Sequence, residues 1–106
     1  MPSIRLVVTV VIAAAGSGVL FAQSSNPNLG RDLAATCANC HGTNGVSVGE
    51  VPSLAGKSKD ELLGKMQAFK SGALPGTLMP QLAKGYTDEQ IELVADWFAA
   101  QKPAVR

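Results

Sequence analysis

A small all-α domain is the architecture the sequence predicts. Three segments carry apolar residues at spacings of three and four, and each has recognisable chemistry at one end or both. No segment alternates polar and apolar residues as a half-buried strand does. Two long stretches rich in glycine and proline separate the helical segments. The expectation is three main helices and two long loops, enclosing something that fills the middle.

The first stretch stands outside that domain. Arg5 gives a short positive start, and residues 6–15 are apolar except for Thr9. Val19-Leu20-Phe21-Ala22 offers a cleavage point, so residues 1–22 read as a secretory signal peptide. An uncleaved anchor is the alternative. The apolar stretch reaches from Leu6 only to Ala22 and is interrupted by Gly16, Ser17 and Gly18, which is short against the roughly 20 residues of a span. Cleavage after Ala22 leaves a mature domain of residues 23–106, with no membrane segment and a periplasmic location. A domain of that size has a meagre core and often relies on a staple, a metal or a cofactor. Only Phe69, Tyr86, Trp97 and Phe98 give it aromatic bulk. The formal charge of the whole chain is +1, and without Arg5 the basic and acidic residues balance. That excludes the basic footprint of a nucleic-acid binder.

Asn28 stands as a cap before a helix over residues 29–38, with Leu29, Leu33 and Thr36 or Cys37 on one side. Residues 42–56 form a long irregular segment with four glycines and Pro52, a length that implies it wraps something functional. Ser58 and Glu61 have capping-box spacing and open a helix over 59–71, whose apolar side is Leu62, Leu63, Met66 and Phe69. Gly72 stops it in the left-handed position. Residues 73–86 are a second irregular stretch, with Pro75, Gly76, Met79, Pro80 and Gly85. Thr87 and Gln90 make another capping box, Asp88 and Glu89 suit the helix dipole, and the helix runs over 88–101 until Pro103 ends it.

Cys37-Ala38-Asn39-Cys40-His41 holds both cysteines and the single histidine of the chain. C-x-x-C-H is the attachment signal for a c-type haem. On a helical turn, positions three and four apart share a face. Two sulfurs at that spacing can each form a thioether to one vinyl group, while the imidazole is carried beneath the ring towards the iron. Such attachment happens outside the cytoplasm, in agreement with the leader. Competing readings are a redox-active dithiol, a structural disulfide and a zinc site. The first lacks its βαβ context, the second leaves His41 unexplained, and the third is short of four good ligands.

A second axial ligand would come from methionine, the pairing that raises the reduction potential. Met66 shares a helix face with Leu62 and Phe69 and reads as core. Met79 precedes Pro80 in a loop, where the proline favours an extended backbone suited to a strap over the distal face. Met79 is the expected ligand; a buried loop anchor is its alternative role.

The layout resembles class I cytochromes c across the whole mature chain. What the resemblance implies is one covalent haem c with iron held by His41 and Met79, and three helices and two loops wrapped around it. It further implies that Pro52 offers its carbonyl to the other ring nitrogen of His41, that Leu54 packs on the haem, and that Gly30 and Trp97 form the crossing of the first and last helices. A narrower likeness lies in residues 69–72, 76–79, 83–89 and 95–99, which are similar to the cytochrome subunit of flavocytochrome c sulfide dehydrogenases. Those subunits commonly carry two haem domains, and this chain has one motif, so the resemblance implies a single-haem version.

The function expected is single-electron transfer without catalysis of its own. Leu29, Leu33, Leu54, Leu62, Phe69 and Leu78 are candidates for the haem lining. The implied donor is an FAD-containing flavoprotein sulfide dehydrogenase subunit. The alternative is a free, diffusible periplasmic carrier between respiratory or photosynthetic complexes. A haem enzyme or gas sensor would instead need an open distal position. Lysines 57, 59, 65, 70 and 84 are scattered, and the expectation for them is ordinary solvation.

Overall fold

The computed structural model describes residues 26–103, with Val10 and Gly16 as isolated positions ahead of them. The leader expected over residues 1–22, but for those two positions, lies outside the described residues. The chain forms α1 (Leu29–Ala34), α2 (Ala38–His41), a 3-10 turn (Thr43–Gly45), α3 (Lys59–Ser71), α4 (Met79–Lys84) and α5 (Asp88–Ala99). No β-strand occurs among the described residues, as the sequence predicts.

Helix-end chemistry explains where the two long helices start. The Thr87 side chain accepts from the Gln90 amide at 3.1 Å, and the Gln90 side chain accepts from the Thr87 amide at 2.9 Å. Both halves of that capping box are made. At α3 only one half forms. Ser58 Oγ accepts from the Glu61 amide at 3.1 Å, but the Glu61 carboxylate turns to Lys65 at 3.4 Å and Lys57 at 3.7 Å. Gly72 closes α3 with φ 85°, the left-handed geometry expected of it.

α1 and α3 both pack on α5, and α4 packs on α3. The centre is Ala34, Leu62, Val94, Ala95 and Phe98, with Leu33, Cys37, Leu54, Leu63 and Trp97 partly buried around it. The α1–α5 contact requires a bare backbone at Gly30. A Cβ there would stand 2.9 Å from the Leu93 carbonyl oxygen and 3.6 Å from the Trp97 Cβ. The ring of Trp97 meets that of Phe98 edge-on, with centroids 5.0 Å apart.

The segment after α2 is held tightly. Gly45 is buried at φ 79°, where a Cβ would stand 2.7 Å from the Phe98 ring. Its carbonyl accepts from the amides of Leu54 at 2.8 Å and Ala55 at 3.1 Å, and the Gly56 amide donates to the Phe98 carbonyl at 3.0 Å. The long loop is thereby pinned to the last turn of α5.

Three expectations need correction. The first helix is not continuous over 29–38. It stops at Ala34, and the next turn tightens through bonds from Cys37 to Ala34 and from Ala38 to Ala35 before α2 begins. Thr36 helps break it, because its hydroxyl bonds back to the Leu33 carbonyl at 3.1 Å. Asn28 makes no side-chain cap; instead the Asn26 side chain accepts from the Asn28 amide at 2.9 Å. The stretch 73–86 contains α4, and Met79 opens that helix rather than lying in an extended strap. Pro80 stands in the first turn, where the missing N–H would have had no helical partner.

Candidate haem site

The geometry begins at the turn that carries the two thiols. The amides of Cys40 and His41 both donate to the Cys37 carbonyl, at 3.2 and 2.9 Å, so residues 37–41 make one helical turn. Cys37 is partly buried, Cys40 is exposed, and both thiols are free. Burial pushes the Cys37 thiol above its ordinary value, against smaller opposing pulls from Thr36 and the cysteine's own backbone. A protonated, unpaired thiol at the edge of the core is the result. The disulfide alternative is not realised. No three of the His, Cys, Asp and Glu side chains among the described residues are grouped as a metal site.

His41 Nδ1 lies 2.6 Å from the carbonyl oxygen of Pro52. A carbonyl can only accept, so the proton of that bond resides on Nδ1, and in the neutral ring Nε2 carries the lone pair. The loop that delivers Pro52 is the one pinned through Gly45 and Gly56, and Ser53 Oγ adds a bond from the Ser47 amide at 2.9 Å. The imidazole is therefore oriented by a rigid acceptor, as metal-binding histidines are.

The remaining residues singled out from the sequence divide into two groups. Leu33, Leu54, Leu63 and Cys37 are partly buried and pack against the core. Leu54 is half-buried, Pro52 is exposed, and Leu62 alone on the apolar side of α3 is buried; Leu63, Met66 and Phe69 remain half-open. Met79 is half-buried at the start of α4, on the element that packs against α3. A Cβ on Gly76 would stand 3.4 Å from the Phe69 ring, so the segment leading to Met79 folds over Phe69. Leu29 and Leu78, expected in the lining, are exposed at 40% and 64%. Met79 and His41 stand on separate elements, with no hydrogen bond between them among the described residues.

These observations fit a haem group. Leu33, Leu54 and Leu63 pack on the core together with Cys37 yet stay half-open, as do Met66 and Phe69 on α3, so apolar surface is left for a group to cover in a chain with two free thiols and an oriented imidazole. The surface cleft of about 470 Å³ lined by Thr43, Asn44, Val46 and residues 100–103 contains none of these groups.

The model of the family described as Cytochrome c matches residues 28–102. The chain belongs to the cytochrome c family. Membership implies a covalently held c-type haem with iron and electron transfer as its work. This cytochrome is 44% identical over 69 residues to the cytochrome subunit of sulfide dehydrogenase from Chlorobaculum tepidum, a match over 65% of this chain and 63% of that subunit. The chain thus spans less than two thirds of that subunit's length. It is 34% identical over 77 residues to cytochrome c-554(548) of Halomonas halodenitrificans, covering 69% of this chain and 93% of that protein. It is also 41% identical over 69 residues to the thiosulfate dehydrogenase electron acceptor of Thiomonas intermedia, covering 61% and 32% respectively.

Two features of the site escape sequence reasoning. Tyr86 OH lies 2.7 Å from Thr36 Oγ1, and Lys70 Nζ donates to the Tyr86 carbonyl at 2.8 Å and to Asp88 at 2.9 Å. No periodicity or spacing encodes a pairing of residues 50 positions apart. The lysines expected to be merely solvated are mostly paired: Lys57 and Lys65 with Glu61, Lys59 with Glu92 and Asp96, and Lys70 with Asp88. Such exposed pairs contribute little individually.

Proposed function

We propose that this cytochrome carries one haem, attached through Cys37 and Cys40, with iron held by Nε2 of His41 and the sulfur of Met79. The observation that carries the reading is the 2.6 Å contact between His41 Nδ1 and the Pro52 carbonyl, on the same helical turn as two free thiols. When bound, the group supplies a single redox-active iron that takes up and releases one electron. The chain's part is to keep both ligands in place through that change. Pro52 fixes the tautomer and ring angle of His41 and strengthens it as a donor. Leu33, Leu54, Leu63, Met66 and Phe69 exclude water, and the Met79 thioether favours the reduced iron. Residues 1–22 deliver the chain to the periplasm and are removed, leaving residues 23–106 as the working domain.

The partner we propose is a flavoprotein with FAD that oxidises sulfide and passes electrons here. The supporting observation is the likeness to the Chlorobaculum tepidum subunit. A second reading, a free diffusible carrier, is favoured by the match over 93% of the Halomonas halodenitrificans cytochrome, a protein of single-domain length.

Acidified-solvent extraction of the secreted protein tests the attachment. Pigment should stay with the polypeptide, the intact mass should exceed the bare mature chain by one haem, and Cys40→Ala should lower the yield of pigmented protein. Extractable pigment, or a colourless chain of bare mass, sinks the reading. The weak sulfur-to-iron band at the red end of the oxidised spectrum reports on Met79, and ready carbon monoxide binding by the reduced protein would count against it. Co-purification with a yellow FAD protein separates the subunit from the free carrier.

A further inference from the structure

We infer that Tyr86 is a positioning residue that clasps the Met79-bearing segment to the haem-attachment segment; the inference rests on the reading of Met79 as a ligand. Thr36 immediately precedes the first attachment cysteine, and Tyr86 closes the segment that begins after α3 and contains α4. Their hydroxyl oxygens are 2.7 Å apart. The direction of the bond follows from the neighbouring one. Thr36 Oγ1 already donates its one proton to the Leu33 carbonyl at 3.1 Å, so the phenol of Tyr86 donates to Thr36. Among the described residues this is the only hydrogen bond joining residues 26–57 to residues 73–87.

Tyr86 is itself anchored. Its carbonyl accepts from Lys70 Nζ, which also holds Asp88, and Gln67 donates to the same Asp88 oxygen at 3.1 Å. Its amide donates to Ala83, the fully buried residue of α4. The far end of α4 is thereby tied to α3 and, through the phenol, to the turn that leads into Cys37. α4 has only six residues and packs mainly on α3, so little else restrains it against the attachment turn. Release of the phenol bond leaves Met79 on a short helix free to swing away, and its place at the iron opens to a competing ligand.

The test is titration of the oxidised, haem-loaded protein with imidazole, which competes for the Met79 position. Tyr86→Phe and Thr36→Val should each tighten imidazole binding about fivefold, the size set by losing one hydrogen bond. The double variant should do no more than either single one, because both remove the same bond. Thr36→Ser keeps the hydroxyl and should bind as the parent does. Ser58→Ala removes a cap on α3 and serves as the control for general loosening; it should leave imidazole affinity unchanged. An unchanged affinity in Tyr86→Phe, or an equal gain in Ser58→Ala, overturns the clasp. Met79→Ala reports on the underlying reading separately. Tighter binding in Met79→Ala with no change in Tyr86→Phe removes the clasp and leaves the ligand standing, whereas parental affinity in Met79→Ala removes both.

Discussion

The acceptor that orients His41 is a main-chain atom: Nδ1 stands 2.6 Å from the carbonyl oxygen of Pro52. A substitution cannot delete it as it could delete a side-chain partner. The proline ring contributes stiffness to the loop, while the bond depends on the fold of residues 42–56.

Replacing Pro52 with alanine should therefore separate the two contributions. The acceptor stays, so the oxidised spectrum, including its red-end sulfur band, should match the parent. Stability should fall by roughly 0.4–1 kcal/mol through the greater freedom of the unfolded chain. Urea denaturation followed by absorbance and by helix circular dichroism measures both. A lost red-end band would mean that the ring, and not the carbonyl, sets the site.

Gly30→Ala places two effects in opposition. Alanine favours an exposed helix over glycine by about 1 kcal/mol. The added Cβ, however, meets the Leu93 carbonyl oxygen at 2.9 Å, and a backbone atom of a packed helix cannot step aside alone. Overpacking of this kind costs about 1–3 kcal/mol. The clash should win, with a net loss measured by the urea midpoint; a midpoint equal to or above the parent's would show that α1 and α5 part freely.

What was legible in the chain follows from how local the signal is. Ser58 and Thr87 mark the starts of α3 and α5 because a cap is a contact over three residues, and both helices begin where those caps place them. The attachment motif is local in the same sense. The division of the first helix was not legible, since the place of Thr36 in the sequence does not say whether its hydroxyl turns back on Leu33 or outward. α4 was hidden by Pro75, Gly76, Pro80 and Gly85, which punctuate the segment without preventing one short helix inside it. Gly45 gave no sign of its place beneath Phe98, because burial of a glycine depends on what packs over it.

Phe98 joins the core to the loop, and its loss should register in both. The side chain is 1% exposed, touches the position where Gly45 lacks a Cβ, and its carbonyl holds the Gly56 amide. Phe98→Ala should lower stability by about 3–5 kcal/mol. Hydrogen exchange should also show the amides of Leu54 and Ala55 losing protection beyond that global loss, as the loop loses the ring that backs it. Equal losses at all protected amides would place the effect in the core alone.

The ion pairs between helices add a small pH dependence to stability. Lys70 and then Gln67 hydrogen-bond the Asp88 carboxyl and hold it below its ordinary value of 3.8. A carboxyl depressed by folding stabilises the protein above the unfolded value, and that contribution is lost as pH falls through the folded one. Lys59 behaves oppositely: hydrogen bonds from its ammonium to Glu92 and then Asp96 hold it above 10.5, so its contribution is complete below that value and lost as pH rises further. Well above 3.8 and well below 10.5 neither pair makes stability depend on pH. Asp88→Asn should then be less stable than the parent at neutral pH, with the gap closing in acid, below the ordinary carboxylate range, as the parent's carboxyl takes up its proton. Urea midpoints of the two proteins measured along that range test it. A gap that persists undiminished in acid would mean that the Asp88 charge, and hence its bond to Lys70, contributes nothing to holding α3 against α5.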